Sequence, residues 1–131
     1  GNFAAEFLRK ENFTEAEIVT PVPLHTVKKR IRGYNQSEFL TRQIAENMKW
    51  QHLPHLIQRK RFTETQTKLS RHQRKKNVAG AFVVNPKFEV KNRLILLVDD
   101  VFTTGSTVDS ISKVLKEAGA KKIFVLTIAR A

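Results

Sequence analysis

The chain has 131 residues, a formal net charge of +12 and no cysteine. Its 40% hydrophobic and 27% charged residues are typical of a globular protein, and the length favours a single domain. The absence of thiols excludes disulfides and thiolate metal sites, and no apolar run approaches the roughly 20 residues that span a bilayer. We therefore expect a cytoplasmic protein with no membrane insertion.

The first half of the chain predicts two helices separated by a strand. Residues 2–10 have the apolar spacing of a helix end, and Glu17 to Val22 predicts a short strand. Pro21 to His25 predicts a rigid loop at the edge of the sheet, since proline cannot donate to a sheet ladder. A helix follows Ser37, and Trp50 is expected to pack where it closes. The residues predicted to face the core from this helix are Phe39, Leu40, Ile44, Ala45 and Met48.

The second half predicts four strands, one of them in the motif described in the next paragraph, and a helix. His55 to Arg61 and Ala81 to Val84 are predicted strands. Between them, the polar and basic segment from Thr63 to Asn77 predicts either a short surface helix or a mobile lid. A helix over about Val108 to Ala118, ended by a glycine, leads to a last strand at Ile123 to Ile128. This alternation predicts an α/β fold whose central, mostly parallel sheet has about five strands flanked by helices.

The segment from Leu94 to Thr107 contains the most informative motif. Leu94 to Val98 is an unbroken apolar run, typical of a strand buried on both faces, and Asp99 and Asp100 are expected to end it. Gly105 then allows a sharp turn close to a phosphate. The hydroxyl groups around it, which can donate to an anion, belong to Thr103, Thr104, Ser106 and Thr107. A helix N-terminus at the carboxyl end of a strand predicts a phosphate-binding loop.

The carboxylates of Asp99 and Asp100 would repel a phosphate at close range. We therefore expect them to face sugar hydroxyls, or a Mg²⁺ that arrives with the ligand. The alternative is an ordinary strand-to-helix turn in which Ser106 or Thr107 is the N-cap. That alternative leaves two carboxylates at a buried strand end in need of partners, which is costly.

The positive charge is concentrated in two segments. Eleven of the twelve net charges come from residues 28–32 and 59–77. Such clusters predict a polyanionic partner, either a pyrophosphate-bearing ligand or nucleic acid. A solvated basic surface is the plain alternative. No metal-binding spacing is present among the four histidines, which we expect at the surface or in loops: His25, His52, His55 and His72.

The motif at Leu94 to Thr107 resembles the signature of the type I phosphoribosyltransferases, which bind 5-phosphoribosyl-1-pyrophosphate. A further set of motifs resembles the ComF/GntX subgroup, which is linked to DNA uptake in naturally competent bacteria. These motifs are Pro21–His25, Arg32–Gln36, Thr65–Gln66, Leu69–Arg71, Arg74, Asn77 and Gly80–Phe82. Members of that subgroup usually carry a zinc-binding segment before this domain. We therefore expect residues 1–131 to be a fragment that holds one phosphoribosyltransferase-like domain.

The resemblance also implies roles for individual residues. Asp99 and Asp100 would hold the ribose hydroxyls. Mg²⁺ would lie near them, but the resemblance does not imply that any protein side chain binds the metal directly. Thr103, Thr104, Gly105, Ser106 and Thr107 would bind the 5′-phosphate. The implied pyrophosphate side consists of Leu24, His25 and Arg32. Catalytic roles are implied for Arg71 and Arg74, together with the two aspartates. The implied lid residues are Gln66 and Asn77, which could equally cap and stabilise a surface helix.

Two functions follow from the resemblance and the charge. The first is an enzyme that transfers a phosphoribosyl group with the help of Mg²⁺. The second is a non-catalytic module on the same fold that handles single-stranded DNA or senses a nucleotide, in contact with proteins of the competence machinery. An enzyme needs only a few cations at its site, whereas DNA binding predicts a basic track that extends beyond it.

Overall fold

A computed structural model describes residues 15–23, 36–60, 81–102 and 105–130, with side chains described as far as residue 99 and from 105 to 127. In chain order the elements are β1 (Ile18–Pro21), α1 (Gln36–Met48), β2 (Gln51–His52), β3 (Ile57–Arg59), β4 (Phe82–Val84), β5 (Leu94–Phe102), α2 (Ser106–Glu117) and β6 (Lys122–Arg130). The predicted α/β class is confirmed. Of the described strands, four form a parallel sheet in the order β2-β1-β5-β6.

The sheet is covered on both faces, which explains the unbroken apolar run in β5. Alternate residues of a strand point to opposite faces. Those that pack toward α1 are Val19, Leu96 and Val98, and those that pack toward α2 are Ile18, Ile95 and Leu97. Each such fully buried side chain contributes about 1.5–3 kcal/mol to folding. The two inner strands therefore form a rigid base for whatever lies at their ends.

The alternating pattern predicted that β3 and β4 would join the main sheet, but they do not. They pair with each other as an antiparallel ribbon, with Ile57 opposite Val84 and Arg59 opposite Phe82. The ribbon buries Ile57 and Phe82 in the same core cluster as α2. The sequence of a short segment can predict that it forms a strand but not which strand it pairs with, because pairing is decided by contacts distant in the sequence.

The acidic pair does not end β5, contrary to the prediction. The strand continues through Asp99 and Asp100 to Phe102 and stays paired with β6 as far as Arg130. Backbone pairing needs no apolar side chain, and the nine-residue β6 offers a partner for the full length. β1 likewise includes Pro21, where the missing N–H is tolerated because β2, the neighbour on one side, ends opposite Val19 and does not reach the proline. β1 is an inner strand of this sheet.

Helix α1 packs Ile44, Ala45 and Met48 on the core, as predicted, but not Phe39. Phe39 is 47% exposed, with the Arg42 guanidinium 5.6 Å from its ring centroid. Thr41 is fully buried instead: its hydroxyl donates to the Glu38 carbonyl at 2.9 Å and lies 2.7 Å from Nε2 of His52. A threonine can be buried at this low cost only because its hydroxyl is bonded. Ile44 and Trp50 pack in the core cluster, as predicted.

Helix α2 begins and ends on glycines. Gly105 (φ 81°) is its N-cap, and its C-cap is Ala118 rather than the predicted Gly119, which follows at φ 103°. The helix buries Val108, Ile111 and Leu115. In the ranges given above, neither helix is long and apolar enough to cross a membrane.

Candidate ligand-binding site

The carboxyl end of β1 lies beside Val98 of β5, and β5 continues from there to Phe102. Pro21 is level with Val98, and the next N–H, that of Val22, donates to the Val98 carbonyl at 2.9 Å. Asp99 therefore lies beside the point where β1 ends, partly exposed, while its backbone pairs with Thr127 on the other side. The first carboxylate of the acidic pair is thus held on a strand that is paired on both sides.

The start of α2 faces the same edge, since only residues 103 and 104 separate it from β5. Gly105 adopts the left-handed conformation that glycine accepts without strain. Where the structure describes this turn, no side chain caps the helix, and the Gly105 carbonyl accepts the Asp109 N–H at 2.8 Å. Ser106 and Thr107 are the first helical residues, so the alternative that made one of them the N-cap is wrong.

A cation that the site predictions missed lies at this edge. Arg59, at the end of β3, donates from Nε to the Pro23 carbonyl at 3.1 Å. Its guanidinium lies 4.8 Å from the centroid of the Phe82 ring. Burial lowers the pKa of Arg59, which nevertheless stays protonated at neutral pH. Sequence reasoning counted Arg59 as one charge in a basic segment, and only the packing distinguishes it from its neighbours.

The structure describes part of the predicted site. Asp99 lies on β5 just past the residue that pairs with the last residue of β1, and Gly105, Ser106 and Thr107 form the start of α2. Asp100 is described by its backbone alone. The other predicted site residues lie outside the described ranges: Leu24, His25, Arg32, Gln66, Arg71, Arg74, Asn77, Thr103 and Thr104. The segment that holds the predicted lid leaves the ribbon at Lys60 and returns at Ala81, whose backbones are joined by a 2.7 Å hydrogen bond.

The described residues contain no cluster of three or more metal-ligating side chains. A Mg²⁺ ion fits this edge only in the way it commonly binds, through one or two carboxylates plus phosphate oxygens of a ligand. Asp99 is the described residue suited to that role. His52, expected at the surface or in a loop, is instead half-buried in β2 against Thr41, and burial lowers its pKa.

Solved structures share this architecture. Adenine phosphoribosyltransferase from Rhodothermus marinus superimposes with a TM-score of 0.62 at 14% identity, covering 99% of this chain and 78% of that one. Glutamine phosphoribosylpyrophosphate amidotransferase from B. subtilis gives a TM-score of 0.65 at 23% identity, covering 95% of this chain and 25% of that one. At these identities the likeness establishes the fold, which is that of the type I phosphoribosyltransferases.

Sequence comparison narrows the class. Residues 16–131 match the phosphoribosyl transferase domain, and the chain belongs to that family. Within it, the chain is a ComF-type protein, as the motifs indicated. It is 40% identical to Competence protein F of Haemophilus influenzae (88% of this chain, 51% of the relative). It is 36% identical to the DNA utilization protein YhgH of Escherichia coli K12 (86% and 48%), and 31% identical to Competence protein ComFC of Streptococcus pneumoniae (98% and 54%). The chain spans about half the length of these curated relatives.

Proposed function

We propose that the domain binds 5-phosphoribosyl-1-pyrophosphate, together with Mg²⁺, at the carboxyl edge formed by β1, β5 and the start of α2. One observation carries this proposal. Asp99 lies on the continuous strand β5, and the left-handed Gly105 begins the helix that follows this strand. A carboxylate on the strand and a helix N-terminus after it would together suit a phosphorylated sugar better than either group alone.

Different groups at this edge would bind different parts of the ligand. Backbone N–H groups at the start of α2, with the hydroxyls of Ser106 and Thr107, would receive the 5′-phosphate. Asp99, with Asp100, would accept hydrogen bonds from the ribose hydroxyls. When bound, Mg²⁺ would neutralise the diphosphate as it departs.

The reaction we propose is transfer of the phosphoribosyl group, with Arg71 and Arg74 assisting the departure of pyrophosphate and with Gln66 and Asn77 in a segment that covers the ligand. For these four residues the proposal depends on the sequence motifs. A segment that excludes water would protect the cation-like anomeric carbon from hydrolysis.

A second proposal is the handling of single-stranded DNA in the cytoplasm, in contact with competence-machinery proteins. Two observations favour it: the names of the curated relatives, and the eleven net charges in residues 28–32 and 59–77. Contacts to phosphates depend on charge rather than on sequence, so such binding needs no base-specific residue.

Isothermal titration calorimetry tests the first proposal directly. The protein is titrated with phosphoribosyl pyrophosphate in the presence of Mg²⁺, and again with the metal chelated. We expect saturable binding with the metal and much weaker binding without it. If the folded protein gives no saturable binding in the presence of Mg²⁺, the assignment is wrong.

A further inference from the structure

The two outer strands of the parallel sheet differ in length and character. Within the described ranges, β2 and β6 lie at the two sides of the sheet, and each pairs with one neighbour. β2 is two residues long and polar (Gln51–His52), and such shortness is a common protection of an outer strand against pairing with another chain. β6 has nine residues (Lys122–Arg130) and an apolar centre. Of the two, β6 therefore offers the long surface for pairing.

The centre of β6 has the composition of an inner strand. Its residues 123–126 lie level with residues 95–98 of β5. The four side chains of β5 are at most 2% exposed, whereas the four of β6 are all partly exposed and Val125 is 43% exposed. An unbroken apolar run is typical of strands buried within a parallel sheet. β6 thus combines the sequence of a covered strand with an outer position.

The backbone of β6 carries hydrogen-bonding groups on its outer side, the side away from β5. A strand in a parallel sheet directs the N–H and C=O groups of every second residue to one neighbour and those of the remaining residues to the other side. Within the described ranges β6 pairs with β5 alone, and no other backbone hydrogen bond reaches residues 122–130 there. An extended segment laid along the outer side would form a regular row of hydrogen bonds, as in recognition by β-strand addition.

The charges at the ends of β6 indicate which segment would bind. The exposed Lys121 and Lys122 precede the apolar centre, and Arg130 ends the strand. A second copy of the chain, paired antiparallel along the whole strand, would place Lys122 opposite Arg130, and like charges directly opposite each other are destabilising. The net charge of +12 adds to the repulsion between copies. A segment with acidic ends would instead be attracted to both ends of β6.

We propose that the outer side of β6 is a docking surface for another protein, which adds an extended segment with an apolar centre and acidic ends. The backbone of β6 supplies the hydrogen bonds, Val125 contacts the apolar centre, and the basic residues select the acidic ends. The surface uses none of the proposed ligand groups, so it does not depend on the binding of a sugar phosphate. The competing interpretation is that the basic ends only prevent self-association and that no segment binds.

Synthetic peptides matched in length to the nine residues of β6 test the proposal. The first alternates valine and threonine and has glutamate at both ends, and the second has lysine in place of the glutamates. Two further forms of the first peptide are N-methylated on alternate residues, in the two possible phases. N-methylation removes the backbone donors on one side of an extended peptide and keeps every side chain. Binding of each labelled peptide is measured by fluorescence anisotropy.

Three variants of the protein test the residues of β6. Val125→Lys places a long charged side chain at the exposed centre, a common protection of outer strands. Lys122→Glu reverses a charge at the start of the strand, and its matched control is Lys113→Glu, which reverses an exposed charge on α2. Thermal unfolding shows whether each variant is folded. Should Val125→Lys unfold, the peptide series on the wild type provides the same test.

We expect the peptide with glutamate ends to bind saturably and the one with lysine ends to bind at least about 10-fold more weakly. One phase of N-methylation should abolish binding, and the other should change it by less than about threefold, because only one side of the peptide faces β6. Val125→Lys should weaken binding at least about 10-fold. Lys122→Glu should weaken it roughly 3- to 10-fold, and Lys113→Glu by less than about twofold.

Equal effects of the two N-methylated peptides would show that the peptide does not bind as a strand and would overturn the proposal. The same holds if the wild type does not bind the peptide with glutamate ends, or binds both kinds of peptide equally. Analytical ultracentrifugation of the protein alone is the second check. A dimer that Val125→Lys dissociates would show that a second copy of this chain occupies β6, and it would overturn the assignment to an acidic partner.

Discussion

The two edges of the parallel sheet carry charged residues in different arrangements. At the amino edge the polar groups contact one another through hydrogen bonds and an ion pair. Glu17 accepts the Leu94 N–H at 3.0 Å with one carboxylate oxygen, and its other oxygen lies 3.4 Å from Nε of Arg93. Arg93 in turn donates to Gln51 at 3.3 Å, and its carbonyl accepts the Lys121 N–H at 2.9 Å. Side chains thus join the starts of β1, β2 and β5, and a backbone hydrogen bond adds the start of β6.

At the carboxyl edge Asp99 lies on β5, and Arg59 is held by Pro23 and Phe82. Gly105 opens a helix that no described side chain caps. The described contacts thus use charge for cohesion at the amino edge, whereas the function proposed above uses the carboxyl edge for recognition. Substitutions at the amino edge should change stability, and those at the carboxyl edge should change binding.

The largest effect expected from this contrast concerns the acidic pair. Replacing Asp99 and Asp100 together by asparagine removes two charged acceptors, and each charge-assisted hydrogen bond is worth about 1.5–3 kcal/mol. Affinity for phosphoribosyl pyrophosphate with Mg²⁺ should fall at least about 100-fold in calorimetry, while the melting temperature changes little. The matched control is Glu17→Gln, which neutralises a carboxylate at the amino edge and should leave affinity unchanged. Equal affinity in the folded double variant would contradict the site assignment.

Measuring the binding of single-stranded DNA tests whether the recognition surface extends beyond the carboxyl edge. If about four to six phosphates are contacted, a log–log plot of affinity against salt should have a slope of roughly −3 to −4, so that binding weakens about 100-fold between 50 and 200 mM salt. Fluorescence anisotropy with a labelled oligonucleotide measures this. Reversing Lys28, Lys29, Lys75 and Lys76 to glutamate should abolish DNA binding and largely spare the sugar ligand. Binding that is insensitive to salt, or absent at low salt, would leave the enzyme proposal alone.

The two left-handed glycines provide a matched pair, one at each edge. Alanine costs about 1–2 kcal/mol in this conformation, so Gly105→Ala and Gly119→Ala should lose similar stability in urea unfolding. A Cβ at Gly119 would also approach Lys91 to 3.4 Å, an ordinary contact. Only Gly105→Ala should weaken the sugar ligand as well, by several-fold. A comparable loss of affinity in Gly119→Ala would show that the edges are not separable.

The smallest effect concerns His52, between α1 and β1 and away from the proposed ligand groups. Burial, opposed by Glu38 and Glu46 and assisted by Arg42 and His55, lowers its pKa below 6.5. The unfolded chain therefore takes up a proton more readily than the folded one. The free energy of unfolding should be highest above pH 6.5 and should fall as the pH drops through the folded pKa.

Urea unfolding at pH 7.5 and 5.5 measures this dependence. His52→Gln, which can still donate to Thr41, should flatten it, whereas the exposed His55→Gln should not. An unchanged slope in the His52 variant would mean that other groups are responsible.

The sequence alone determined the features that depend on neighbours in the chain. The helical spacing from Val108 predicted α2, the apolar run at Leu94 to Val98 predicted a strand covered on both faces, and Gly119 predicted a helix end. The turn at Gly105 was predictable for the same reason: a left-handed residue is marked by the one side chain that permits it. The family was also visible in sequence, because its motifs are short and contiguous.

The tertiary structure decided everything that depends on distant partners. β5 continues past Asp99 because β6 offers nine residues to pair with, and β3 pairs with β4 because their apolar faces meet α2. Thr41 can be buried because its hydroxyl finds a partner in the imidazole of His52, 11 positions away. Arg59 is distinguished from the other basic residues of its segment only by Pro23, 36 positions earlier. No local pattern contains such information, since burial and pairing are properties of where two remote segments meet.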